Sequence, residues 1–132
     1  MATRNPPDDG EIVQTVKGRG EITFPLGARI QSLFELTEYA GGKRRLTCTG
    51  RFAKTAYATW ERLVSQYQVD SGKAAAQKGQ PAERFEGQAD DGRKLSVKRM
   101  FLVGTQVSDI GQNNLTLQMH FECQDLTLSP EA

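Results

Sequence analysis

The stretch LTLQMHFECQDLTL, residues 115–128, has an apolar residue at every second position over its first nine residues. Alternate side chains of a β-strand lie on opposite faces of the sheet, so this pattern predicts a strand with one buried and one polar face. The polar set, which we expect to point away from the core, comprises Thr116, Gln118, His120 and Glu122. The stretch therefore predicts a half-buried strand near the end of the chain.

The polar face contains the only histidine of the chain, His120, with Glu122 two residues away. A general acid–base pair needs this closeness, but it also needs a cleft and groups that orient a substrate. We recognise no catalytic triad around this residue, and one histidine cannot make a two-histidine metal site. We therefore predict a structural face and a chain that is not an enzyme, with no catalytic, cofactor-binding or metal-binding residues and no cofactor.

Length and composition restrict the possible classes of protein. The chain has 132 residues, which suits one domain, and 17 basic against 16 acidic residues, which gives no general attraction for nucleic acid. No apolar run reaches the roughly 20 residues of a membrane helix, and the first residues lack a signal-peptide core, so we expect synthesis in the cytoplasm and no membrane partner. Cys48 and Cys123 fall at apolar positions and are interpreted as small buried residues rather than a disulfide.

One helix is predicted from the segment TAYATWERLVSQY, residues 55–67. Apolar residues recur there at spacings of three and four, which is typical of a helix with one buried stripe. Thr55 is the predicted N-cap. The predicted stripe, which we expect to pack on a sheet, comprises Tyr57, Trp60, Leu63, Val64 and Tyr67.

The remaining segments predict strands and loops. Residues 1–10 lack periodicity and are predicted to be a flexible arm, with residues 11–132 forming a single domain. Residues 11–20 and 21–30 are predicted as separate strands, and Gly41-Gly42 and Asp91-Gly92 as hairpin turns. The basic cluster KRR, residues 43–45, is predicted to be solvated at a hairpin end.

Residues 68–84 lack sustained apolar periodicity and exceed the usual length of a connection, which is typical of functional or disordered loops. The order of elements predicts an α+β domain, mainly antiparallel β. We expect a β-sandwich or a strongly curved sheet, with one packed α-helix at about residues 55–67 and a long loop at about 68–84.

Two segments carry a family resemblance: RRLTCTGRFAKTAYATWERLVSQY, residues 44–67, and FEGQADDGRKLSVKRMFLVGTQVSDIGQNNLTLQMHFECQDLTL, residues 85–128. In the order of their elements and in the residue pattern along their strands, they resemble the tail-tube proteins of contractile and long non-contractile bacteriophages. These proteins share a fold with the inner-tube protein of the type VI secretion system. The resemblance covers roughly residues 20–128 and rests on no invariant motif.

The resemblance implies a structural virion protein that forms rings, expected to be hexameric, stacked into a tail tube through which DNA passes. Its partners would be copies of itself, other tail proteins and transiently passing DNA, and its location the virion tail after synthesis in the host cytoplasm. The wall of the channel would be Thr116, Gln118, His120 and Glu122, or the corresponding face of residues 95–103. The long loop would be an arm ordered by the next ring, with Asp70, Lys73, Gln77, Lys78 and Gln80 as its assembly residues.

Other functions stay open at this point. The chain can be another non-enzymatic phage component: a tube initiator, a baseplate or tail-terminator subunit, or a capsid-decorating protein. It can also be a monomeric β-sandwich module that binds carbohydrate or peptide. A small enzyme is the least favoured, because no convergent catalytic set can be assembled from the sequence.

Overall fold

Six strands and two helices make up the chain in a computed structural model that describes residues 10–25, 27–109, 111 and 113–129. The first three strands precede both helices, and the last three follow them. The elements are β1 Ile12–Thr23, β2 Arg29–Tyr39, β3 Arg44–Ala53, α1 Lys54–Ser65, α2 Gly72–Gln77, β4 Glu83–Ala89, β5 Lys94–Asp109 and β6 Asn114–Leu128.

The six strands pair antiparallel into a closed barrel in the order β1-β2-β3-β6-β5-β4. Closure comes from β1, whose residues Gly18–Thr23 pair with β4 while its other edge pairs with β2. The predicted fold class, α+β and mainly antiparallel β, is confirmed. Of the two expected arrangements the sandwich is wrong, because the curved sheet closes on itself.

The first strand is continuous where the sequence predicted two. Gly18 and Gly20, at the end of the first predicted strand, lie inside β1. A side chain at Gly18 would collide with the Gln88 carbonyl oxygen and would lie 2.6 Å from the Phe34 ring. These glycines therefore allow close approach of β4 to β1 and do not interrupt the strand.

Both predicted hairpin turns are confirmed. β2 and β3 are joined through Gly42, and β4 and β5 through Gly92. Each of these glycines has a positive φ, 85° and 94°, which glycine adopts without the steric cost that a side chain brings.

The barrel interior is filled by the apolar residues of all six strands. The rings of Phe34 and Phe85 meet edge to face with their centroids 5.3 Å apart. Residues of β6 that alternate through the first part of the strand, Leu115, Leu117, Met119 and Phe121, are buried as predicted. Both cysteines are free thiols and Cys48 is buried, as predicted, whereas Cys123 is only partly buried.

Helix α1 and the turn after it cover the barrel with the predicted stripe, because the helix ends at Ser65 and not at residue 67, which leaves Tyr67 in the turn. Tyr57 and Val64 are buried, whereas Trp60, Leu63 and Tyr67 are partly buried and pack against the core. The predicted cap is wrong: the N-cap is Ala53, the last residue of β3, and no side chain caps the helix. Because β3 runs directly into α1, the helix starts one residue before Thr55.

Residues 68–84 are not a loop without regular structure, so this part of the prediction is wrong. They contain α2, whose first turn is capped when the Ser71 hydroxyl accepts a hydrogen bond from the Ala74 N–H at 3.4 Å. Gly72 and Ala75 are buried against β5 and β6. The alanine run explains the helix, because alanine has the highest helix propensity and needs no apolar periodicity.

The expected arm at residues 1–10 lies outside the described residues, except for Gly10. Within the described part of the chain, neither helix has the length and apolar character needed to cross a membrane.

Candidate interaction surface

The outward side chains of four adjacent strands, β1, β2, β3 and β6, form one broad polar surface. None of these side chains is buried, and all point away from the core because they alternate with buried residues. We call this surface the four-strand face, and its residues are Lys17, Arg19, Glu21, Gln31, Leu33, Glu35, Thr47, Thr49, Arg51, Thr116, Gln118 and His120.

The strand register places these residues in rows across the sheet. One row is Lys17, Glu35, Thr47 and His120, and the next is Arg19, Leu33, Thr49 and Gln118. Three of the four predicted channel residues, Thr116, Gln118 and His120, therefore lie on an accessible polar surface that extends beyond their own strand.

Glu122, the fourth predicted channel residue, does not face solvent, and its assignment to the channel wall is wrong. Only 7% of it is exposed, because α2 covers it and the Gly72 N–H donates a hydrogen bond to its Oε2 at 3.0 Å. Its Oε1 lies 3.8 Å from Arg45 Nη2 and 3.5 Å from Lys43 Nζ. Arg45 is 3% exposed, so the predicted solvated cluster at residues 43–45 is also wrong at that position.

Most charges around the four-strand face have an opposite partner nearby. Lys17 Nζ lies 4.0 Å from Glu35 Oε2, and Arg29 Nη1 lies 3.7 Å from Glu21 Oε1. Two guanidinium groups differ: among the described residues, neither Arg19 nor Arg51 has an ion-pair or hydrogen-bond partner. The sequence analysis missed both, because no local pattern reveals which cations a fold leaves unpaired.

His120 is built into the sheet. Its Nδ1 lies 3.2 Å from the hydroxyl of Thr47 on the neighbouring strand. Burial, and secondarily the positive charge of Arg45, hold the pKa of His120 below its ordinary value and so favour the neutral form of the ring. Among the described residues, no group of three or more His, Cys, Asp or Glu is placed to hold a metal ion.

Two depressions on the four-strand face adjoin one another. The first has a volume of about 330 Å³ and the second about 660 Å³, and both are lined by Arg19, Leu33 and Thr49. Leu33 is 55% exposed and supplies an apolar surface between them. The two depressions together form a shallow groove across the strands.

Parts of two barrel strands have an open edge. β1 pairs with β4 only from Gly18 onward, so residues 12–17 have no strand on that side within the described chain. Ile12 and Val13 are exposed there by 59% and 64%. β5 pairs with β4 only as far as Met100 and is bridged by Gln68 at Leu102. Val103 and Thr105 are still buried, so the open part of β5, which has no neighbouring strand on that side in the described chain, is its accessible end at residues 106–108.

The predicted assembly residues all lie on the solvent side of the segment that carries α2. Asp70, Lys73, Gln77, Lys78 and Gln80 are exposed, while Gly72 and Ala75 face the barrel. Their side chains are thus accessible, although the segment that carries them is packed on its own barrel.

A buried carboxyl group, which the sequence analysis did not identify, lies at the start of β4. Glu83 is fully buried, and neither of its carboxyl oxygens has a hydrogen-bond partner among the described residues. Burial raises the pKa of Glu83 to about 8. The position of Glu83 just before the alternating run that starts at Phe85 is only a weak signal of burial, because an acidic residue at the start of a strand is usually solvated.

Comparisons with protein-family models, with curated proteins and with solved structures each found no match for this chain.

Proposed function

We propose that the chain is a structural virion protein, a self-assembling subunit of a bacteriophage tail tube. Copies would join into rings, hexameric as the resemblance implies, and the rings would stack around a channel for DNA. In this role the protein is not an enzyme, and its partners are its own copies, other tail proteins and the passing DNA.

The open apolar edge of β1 is the observation that carries this proposal. A strand edge that has no neighbour within the described chain, with exposed Ile12 and Val13, is a template for pairing with another chain. The open part of β5 lies on a different strand and near the opposite end of the barrel, as the register shows. Pairing the β1 edge of one copy with the β5 edge of the next joins two different patches, and such head-to-tail contacts generate rings or helical filaments.

The four-strand face supports a channel wall. Its twelve residues include three basic and two acidic side chains, so the face is polar and close to neutral. A wall with few unpaired cations would let DNA move along it, because many phosphate contacts would hold the DNA in place.

A second candidate, the monomeric binding module, is favoured by the packing of residues 68–84. The sequence analysis expected this segment to be ordered by a neighbouring ring, but the Val69 N–H donates a hydrogen bond to the Leu102 carbonyl oxygen of the same chain at 2.8 Å. A segment that is already docked gives no reason to require a second copy. In this alternative the groove at Leu33 would hold the ligand.

Electron microscopy of concentrated protein, with an edge variant, tests the proposal. Long uniform tubes are expected from the wild-type chain, and none from I12E/V13E, because charges at the edge oppose strand pairing. Ala58→Glu, at an exposed position of α1, is the control and should still form tubes. Isolated rings would indicate an adaptor component, and monomers in every sample would favour the binding module.

A further inference from the structure

Two cations on the four-strand face are free to bind a ligand. Arg19 on β1 and Arg51 on β3 are exposed, and neither has a partner among the described residues. By contrast, Lys17 and Arg29 next to them are each within 4.0 Å of a carboxylate. A guanidinium group presents its N–H donors in a planar fork that matches the oxygens of a phosphate.

Both arginines line the same depression of about 660 Å³. Thr49, on the same strand as Arg51, and Thr116, which pairs with Arg51 on β6, line it as well. From the register, the two arginines lie two strands and two residues apart, so their Cα atoms are separated by about 12 Å. The hydroxyls of Thr49 and Thr116 add hydrogen-bond donors for phosphate oxygens.

We propose that this groove binds the phosphodiester backbone of duplex DNA through Arg19 and Arg51. The inference rests on the proposed function, because it assigns the contact between the channel wall and the passing DNA to two named residues. A chain fits better than a free phosphate because the depression continues past Leu33 into the neighbouring one of about 330 Å³, which a single small anion would not fill.

The number of contacts fits a transient interaction. Each subunit offers two phosphate contacts, whereas the neighbouring charges are paired within the face. Binding to phosphates weakens steeply with salt in proportion to the number of contacts. A single subunit with two contacts therefore holds a duplex only weakly, and rising salt releases it.

Fluorescence anisotropy with a short labelled duplex of mixed sequence, measured over a salt series, tests the inference. We expect R19Q/R51Q to lower the affinity by about tenfold or more and to reduce the salt slope by about two units. The control R84Q/K98Q removes the same two charges from exposed positions of β4 and β5. It should change the affinity by less than about threefold.

Equal losses in the two double variants would overturn the inference, because they would show an effect of net charge alone. No binding by the wild-type chain at low salt would overturn it as well. Competition by inorganic phosphate that is as effective as competition by unlabelled duplex at the same phosphate concentration would show a site for a free anion. That result would also contradict the inference. Tube formation without this DNA contact would leave the proposed function standing, whereas DNA contact by a chain that stays monomeric would overturn only the proposed function.

Discussion

The buried carboxyl group of Glu83 should make the stability of the fold depend on pH. Burial raises the pKa of this group from its ordinary 4.5 to about 8. Below about pH 4.5 both the folded and unfolded chains carry the proton. Between about pH 4.5 and 8 only the folded chain keeps it, so the free energy of unfolding falls by about 1.4 kcal/mol per pH unit. Above about pH 8 this loss is complete and stays constant.

Glu83→Gln removes this titration while nearly preserving the shape of the side chain. From pH 5 to pH 8 the stability of the variant relative to wild type should increase by about 3 kcal/mol. This change does not depend on the cost of burying the amide, because that cost is the same at both pH values. In urea titrations, the difference between the unfolding midpoints of the variant and the wild type should therefore change by about 1.5–2 M between pH 5 and pH 8.

Urea unfolding followed by the fluorescence of Trp60, the only tryptophan, measures this difference. Trp60 packs against Phe52 with ring centroids 5.3 Å apart, so its emission reports the contact of α1 with the barrel. Glu86→Gln, an exposed change on the same strand, is the matched control for the loss of one carboxyl group. Parallel profiles for Glu83→Gln and wild type would refute the reasoning, since they would mean that Glu83 is ionised in the folded chain.

Two further substitutions test the packing of the helices. Val64→Ala should lower the free energy of unfolding, measured by urea titration, by about 2 kcal/mol, because it removes two buried methyl groups. Ser65→Ala, at an exposed position, is the control and should change the free energy of unfolding by less than about 0.5 kcal/mol. Glu122→Gln should cost about 3 kcal/mol, because Arg45 stays buried without its carboxylate, and should speed proteolysis near α2. Glu38→Gln, at a partly exposed ion pair, should cost less than about 1 kcal/mol, and equal costs would contradict the importance of burial.

The elements of the fold were largely predictable because their signals are local. Alternation in β6 and the spacing of the stripe from Tyr57 to Tyr67 each reflect contact with one core, and Gly42 and Gly92 mark the turns. Barrel closure was not predictable, because it depends on pairing between β1 and β4, whose partners Gly18 and Ala89 are 71 residues apart in the sequence.

The parts of the surface that were missed depend on tertiary contacts. Glu122 has the sequence pattern of an exposed residue, and only the docking of α2 through Gly72 buries it. A Cβ at Gly72 would lie 3.0 Å from Glu122 Oε2, so the glycine allows this contact. The available signal for α2 was Ser71 followed by an alanine run. The segment lacks apolar periodicity, and for this reason the sequence predicts a loop there.

Sedimentation equilibrium of the wild-type chain over a wide range of concentrations tests the central claim, self-assembly through open strand edges, most directly. The proposal predicts an average mass that rises with concentration beyond that of a single ring. A mass equal to one chain at every concentration would contradict it.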